Sequence, residues 1–139
     1  MARQVFEVIE VASKAKTREE KIQVLKENES WALKDILRGA YDDSIQWNLP
    51  PGKPPFEASD ESNHPSNLHQ QNKQFIWFAR GGKGDNMPAV KREAIFIKIC
   101  EAVHPVEADM LCLMKDKKQL AKGITKKIVK EAFPGLIRK

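Results

Sequence analysis

Four prolines set the first limit on this chain. Pro50, Pro51, Pro54 and Pro55 cannot sit inside a helix, because each lacks an amide hydrogen and its ring clashes with the preceding turn. They belong to LPPGKPPFEASDESNHPSNLHQQNK, a run rich in Pro, Ser, Asn and Gln within residues 43–74. On both sides of it, apolar residues return at helical spacing. The chain therefore reads as a helical run, an irregular insertion over 43–88 and a second helical run. A loop this long inside a compact domain is usually functional or mobile. A solvated insertion is the default, and a lid, a partner-binding arm or an ordered wrap around the core also fits. FIWFA at 75–79 is a short apolar run, and its length allows a buried strand or one helical turn.

The flanking runs carry helix signals of their own. Val5, Val8, Ile9 and Ala12 repeat at helical spacing over residues 3–14, and Phe6 and Val11 widen that stripe. Thr17 with Glu20 has the form of a capping box. It opens a second helix with Ile22, Val24 and Leu25 inside, closed by Asn28. Ser30 can cap a third helix through Tyr41, with Trp31, Leu33, Ile36, Leu37 and Ala40 as its apolar set. Beyond the glycine-rich GGKGDNMP, Pro88 can begin a helix. Val90, Ala94, Ile95, Ile97, Ile99, Cys100 and Val103 make that helix apolar on most of its surface, which predicts a central, buried position. His104-Pro105 interrupts, and Val106–Met114 resumes with Ala108, Leu111, Cys112 and Met114 inside.

These elements predict an all-α fold, a single compact multi-helix domain over residues 1–139 with the 43–88 insertion. A chain of 139 residues is long enough to bury a core of its own. No stretch approaches the ~20 apolar residues of a membrane span. No apolar run followed by a cleavage site marks a secretory leader. Two cysteines cannot build a disulfide framework, so a reducing, cytoplasmic setting is expected.

Charge is unevenly spread. Residues 115–139 hold nine Lys or Arg against two acids, while in the rest of the chain 15 basic residues face 17 acids. The net charge of +5 is thus a local feature, as an electrostatic footprint for nucleic acid is. The stretch KDKKQLAKGITKKIVKEAFPGLI reads as a helix end, a glycine turn and a second helix. Gly123 fits a position just past a helix end, where a left-handed backbone is cheapest without a Cβ. Thr125 fits an N-cap, and Ile128, Val129, Ala132 and Phe133 form the apolar face of the helix that follows. Lys117, Lys118, Lys122, Lys126 and Lys127, with amides near Gly123 and Thr125, are the candidate phosphate contacts. Contacts of this kind position a protein on DNA without reading its sequence.

A resemblance appears at both ends of the chain. Leu120, Gly123, Ile124, Thr125, Ile128 and Ala132, with the Phe133-Pro134-Gly135-Leu136-Ile137 exit, resemble the close of the N-terminal DNA-binding domain of ATP-dependent DNA ligases, especially the phage type. Ala12-Ser13, Thr17, Lys21, Ile22, Val24-Leu25 and Glu27-Asn28 resemble its opening. The likeness covers about two thirds of the chain and lapses between 43 and 88. It implies an all-α DNA-binding scaffold that clamps the minor-groove side of a nicked duplex through backbone contacts. The partner it implies is double-stranded DNA, intact or nicked. The phage type implies a viral protein acting in replication, repair, recombination or packaging in the host cytoplasm.

Other motifs carry less. Lys83-Gly84-Asp85 lacks the glycine of the ligases' Lys-x-Asp-Gly adenylation motif, because Asn86 follows, and GGKGD is no P-loop. A turn is expected there, with Arg80 and Lys83 available to a phosphate. Cys100, Cys112, His64, His69 and His104 show no zinc spacing, and both cysteines fall on apolar helix faces, so no metal and no cofactor are expected. Asp42, Asp43, Asp60 and Glu61 match no nuclease template, and Glu107 and Asp109 read as acids of a first helical turn. Lys14, Lys16, Arg18 and Lys21 form a second basic group that Glu19 and Glu20 dilute, which favours a solvated surface. Trp31, at helical spacing, is expected in the core. Trp47 and Trp77 flank the insertion and are the better candidates for exposure, although burial suits them too. The sequence thus points to a non-catalytic duplex-binding accessory protein. The alternative is an adaptor whose 43–88 region docks a replication or host protein.

Overall fold

The computed structural model describes residues 4–137 except 51, 53, 58, 61 and 63. Pro51 of the proline block, Glu61, and Arg138 and Lys139 of the basic stretch therefore lie outside the described residues.

The described residues form seven α-helices and no strand; the local signals account for all but α4, a short helix inside the insertion. They are α1 (Val5–Lys14), α2 (Arg18–Glu27), α3 (Trp31–Tyr41), α4 (Leu68–Gln71), α5 (Ala89–Ala102), α6 (Pro105–Lys115) and α7 (Lys126–Ala132). Thr17 Oγ1 accepts from Glu20 N at 3.2 Å, and Ser30 Oγ accepts from Leu33 N at 3.1 Å. These bonds satisfy amides that the helix starts leave open. Glu20 reaches back to the amide of Lys16, at 3.3 Å, one residue earlier than a capping box requires. Asn28 closes α2 by donating its side-chain amide to Val24 O at 2.9 Å. His104 Nδ1 accepts from Val106 N at 3.1 Å, and Pro105 then opens α6.

Helix α3 sits at the centre, packed on α4, α6 and α7, while α1 packs on α2 and α6. Leu33, Ile36 and Leu37 of α3 are fully buried with Val5, Ile9, Leu25, Ile124 and Val129. Gly39 lets the insertion approach this helix, because a Cβ there would lie 2.6 Å from the Trp47 ring and 2.7 Å from Met114 Sδ. Trp47 Nε1 donates to Gly39 O at 2.9 Å across that contact.

Two expectations about burial fail. Helix α5 is peripheral rather than central. It packs on α6 and buries Arg92, Phe96, Ile99 and Cys100, but Val90 is 79% exposed and Ala94 is exposed. The buried helix is α6, which hides Ala108, Met110, Leu111, Cys112 and Met114 together with Glu107 and Lys115. Trp31 is 77% exposed, not core. The inward stripe of α3 runs through Leu33, Ile36, Leu37 and Ala40, and Trp31 falls out of phase with it, on the Lys34 and Arg38 side.

The described part of the insertion is an ordered wrap. FIWFA enters a 3-10 turn over Asn72–Trp77, and Ala79 then pairs antiparallel with Trp47. Asn48 N donates to Phe78 O at 2.6 Å, and Arg80 N to Gln46 O at 2.8 Å. Phe78 packs edge-on to Phe96 at 5.5 Å between centroids. Two buried cations gather the backbone carbonyls of the wrap. Arg92 donates to the carbonyls of Asn48, Gly84 and Met87 at 2.7–2.9 Å. Lys115 Nζ donates to Pro50 O at 2.7 Å, Gly52 O at 2.8 Å and Asp116 Oδ1 at 2.7 Å. A proline-rich segment has few amides to pair with, and cations supply donors for its carbonyls.

Candidate nucleic-acid interface

The basic turn between α6 and α7 is anchored from below by one side chain. Tyr41, at the end of α3, donates its hydroxyl to Ile124 O at 2.6 Å and accepts from Leu120 N at 3.0 Å. Leu120 and Ile124 are buried on either side of it. Burial pushes the Tyr41 hydroxyl above its ordinary pKa, although the Leu120 amide pulls the other way. Gly123 has φ +81°, left-handed as expected, but it sits in a turn closed by Ile124 N donating to Ala121 O and not just past a helix end; α6 ends at Lys115, and the left-handed residue that follows it is Lys117, at φ +59°. Thr125 accepts from Ile128 N at 3.4 Å and caps α7, also as expected.

From the other end of the chain, the α1–α2 connection meets this turn. Ser13 Oγ donates to Lys122 O at 2.6 Å. Lys21 donates to the carbonyls of Ala15 at 2.7 Å, Ser13 at 3.0 Å and Ala12 at 3.4 Å, where α1 leaves its last carbonyls open. The same ammonium sits 3.2 Å from where a Cβ would stand on Gly123. Arg18, at the start of α2, forms an ion pair with Glu131 of α7. The two basic groups that are far apart in sequence are therefore neighbours in the fold, with exposed Lys14 and Lys16 on one side of the seam and exposed Lys122 on the other. Lys21 and Arg18 serve the seam itself.

The candidate lysines divide by environment. Lys118, Lys122 and Lys127 are exposed, and so is Lys130. Lys126 is half-buried and reaches Asp43 Oδ2 at 3.1 Å. Lys117 is a correction to the sequence expectation. Its ammonium is occupied inside the fold, donating to Gly39 O at 2.6 Å and Asp42 O at 2.7 Å. It thereby caps the carbonyl end of α3. Burial lowers its pKa, while Asp43 and Asp42 act in the opposite sense. Phosphate contact from Lys117 would break both bonds, so this residue holds the turn in place rather than facing a ligand.

The other candidates lie elsewhere. Arg80 and Lys83 are exposed on a separate turn, where Gly81 N donates to Asp85 Oδ2 at 2.7 Å. Among the described residues, no three His, Cys, Asp or Glu side chains converge where they could hold a metal ion. Cys100 and Cys112 are both buried. Glu107 belongs to the first turn of α6, as expected, but is fully buried, where the sequence suggested only an acid suited to the helix dipole. It accepts from Phe6 N at 3.3 Å and Leu68 N at 3.1 Å, tying α1 and α4 to α6. Burial raises its pKa, and the two amides, His69 and His64 partly offset that. Two features escaped the sequence reading, Tyr41 as the anchor of the turn and Trp31 as an exposed ring. The phase of Trp31 with Lys34 and Arg38 was the available signal for the second.

By fold and surface this is an all-helical protein whose two ends join in a lysine-rich seam. The chain belongs to a family of unknown function (DUF6433), whose pattern matches residues 8–122. That match runs from α1 to the glycine turn and stops short of α7. No curated protein matches the chain. No helix among the described residues is long and apolar enough to cross a membrane.

Proposed function

We propose that the protein is a non-catalytic accessory that binds double-stranded DNA with little sequence preference, by neutralising backbone phosphates. The observation that carries this reading is the seam at Ser13–Lys122, where basic groups from the two ends of the chain come together. A track of separated, exposed lysines suits phosphates, which recur at regular spacing along a duplex. The likeness of both chain ends to the ligase DNA-binding domain supports the same surface, since the likeness falls on α1, α2, the glycine turn and α7. A viral role in replication, repair, recombination or packaging follows from that likeness alone.

Fluorescence anisotropy with labelled intact and nicked duplexes across a salt series tests the proposal. Contacts from Lys14, Lys16, Lys118, Lys122 and Lys127 give a log–log salt slope of roughly −4 to −5. The triple variant Lys14→Glu/Lys122→Glu/Lys127→Glu should lose binding while keeping its fold, because all three side chains are exposed. A slope near zero, or no duplex binding at low salt, overturns the proposal.

One observation favours the adaptor reading. Leu49, Pro50, Pro54, Pro55, Phe96 and Ile97 line an apolar pocket of about 380 Å³ between the wrap and α5. Deleting the wrap while duplex affinity survives and cellular function fails would shift the balance to it.

A further inference from the structure

Trp31 is the first residue of α3, and its ring stands in solvent at 77% exposure. A single exposed apolar side chain is ordinary, but this indole shares a groove with a second aromatic ring, Phe133. The ring borders an open groove of about 370 Å³, closed on the far side by Phe133, Pro134, Gly135 and Leu136. Lys34 Nζ lies over both aromatic walls, 5.2 Å from the Trp31 centroid and 5.8 Å from the Phe133 centroid. The same ammonium pairs with Glu29 Oε1 at 2.6 Å, which neutralises the acid in the groove. A neighbouring hollow adds Lys26 beside Glu29, Ala132 and Phe133.

The position of the groove matters as much as its lining. It lies at the C-terminal end of α7, and Lys127 and Lys130 are exposed along the same helix. Seven residues of helix span about 10 Å, the length of a few nucleotides. A strand leaving the lysine seam along α7 therefore reaches the indole while its phosphates stay near ammonium groups.

We infer that the Trp31 groove takes an unpaired nucleobase, stacked on the exposed indole, at the edge of the duplex-binding surface. The inference rests on the duplex-binding proposal and adds a ligand class to it: DNA with a single-stranded end or gap. Stacking on an aromatic face tolerates any base, and flanking cations hold the backbone beside it. Charge favours this occupant, since the Lys34–Glu29 pair is neutral, Lys26 adds a net positive charge in the adjoining hollow, and Lys127 and Lys130 are exposed along the helix that leads to the groove.

The test compares a blunt duplex, the same duplex with a short single-stranded overhang, and the overhang strand alone. Anisotropy reads affinity, and quenching of tryptophan fluorescence reads stacking. The overhang should tighten binding by roughly tenfold and quench the emission. Trp31→Ala should abolish both effects and leave blunt-duplex affinity within about twofold, while Trp31→Phe keeps part of the gain. Equal affinity for blunt and overhang duplexes, or quenching that survives Trp31→Ala, overturns the inference and leaves the duplex proposal standing. If the blunt duplex does not bind, the duplex proposal fails. Trp31-dependent quenching by the single strand then still supports stacking, and its absence overturns it. A matching thermal midpoint for Trp31→Ala and the parent confirms that folding is not the cause.

Discussion

Replacing Tyr41 with phenylalanine removes one oxygen and two hydrogen bonds from the base of the lysine turn. The hydroxyl joins Leu120 N and Ile124 O, and all three residues are buried. The ring keeps its packing, so the cost comes from the two backbone groups left without partners. Each orphaned buried group costs about 1–3 kcal/mol, whereas a hydrogen bond exposed to water on unfolding contributes only about 1 kcal/mol net. Some relaxation of the turn toward solvent lowers the sum, so a loss of about 2–4 kcal/mol is expected. Urea denaturation followed by circular dichroism measures it. With a slope of about 1–3 kcal/mol per molar, the midpoint should fall by roughly 1–2 M with the slope unchanged. The Leu120 amide should also exchange with deuterium faster in the variant. A loss under about 0.5 kcal/mol, with Leu120 still protected, would refute the reasoning and show that the turn stands without its anchor.

Other residues yield sharper contrasts. Lys117→Met should cost about 1 kcal/mol by removing two bonds to a half-buried ammonium, since Gly39 O keeps Trp47 Nε1 and Asp42 O keeps Ile45 N as partners, and should change duplex affinity by less than about twofold. Unchanged thermal stability with lost binding would return Lys117 to the phosphate contacts. Gly123→Ala should destabilise by about 1–2 kcal/mol, because φ +81° is unfavourable for a residue with a Cβ and Lys21 crowds the site. A thermal midpoint equal to the parent's would contradict this. Glu107 is expected to tie stability to pH. Burial raises its pKa above the ordinary 4.5, so the fold holds its proton more tightly than the unfolded chain does. That contribution is complete below the unfolded value and is lost as pH rises through the folded value. The stability of the parent relative to Glu107→Gln should therefore fall as pH rises from about 4, then level off. A flat difference in urea titrations would refute it.

Local signals were the legible part of this chain. Thr17, Ser30 and Thr125 all cap helices, because an N-cap depends on a hydroxyl and the next turn alone. Gly123 likewise takes the left-handed turn expected of it. Position within the fold was harder to read. Helix α5 is rich in apolar residues yet lies at the edge, since composition does not say how many neighbours a helix will have. Helical spacing suggests a core position for Trp31, but the phase of the buried stripe puts it beside Lys34. The lysines show the same limit. Lys115, Lys117 and Lys118 are almost adjacent in sequence, and one clamps the wrap, one caps α3 and one is exposed. Their separation depends on carbonyls contributed by residues 39–52, which no local pattern reveals. The contact between Ser13 and Lys122, on which the proposed interface depends, crosses 109 positions and left no trace in either segment.

The clamp formed by Lys115 also bears on how the protein comes off the ribosome. The proline segment is held by an ammonium that lies 65 residues later in the chain, and α1 donates a bond to a carboxylate 101 residues later. Neither can be secured until α6 has left the exit tunnel. Before α6 is made, α1 can pack on α2 and the wrap on α3, but the faces of α1 and α3 that meet α6 stay uncovered. Closure thus waits for α6 and the turn after it, which meets the α1–α2 connection at the lysine seam. A chain cut short before α6 would thus present the open apolar surface that chaperones and proteases recognise.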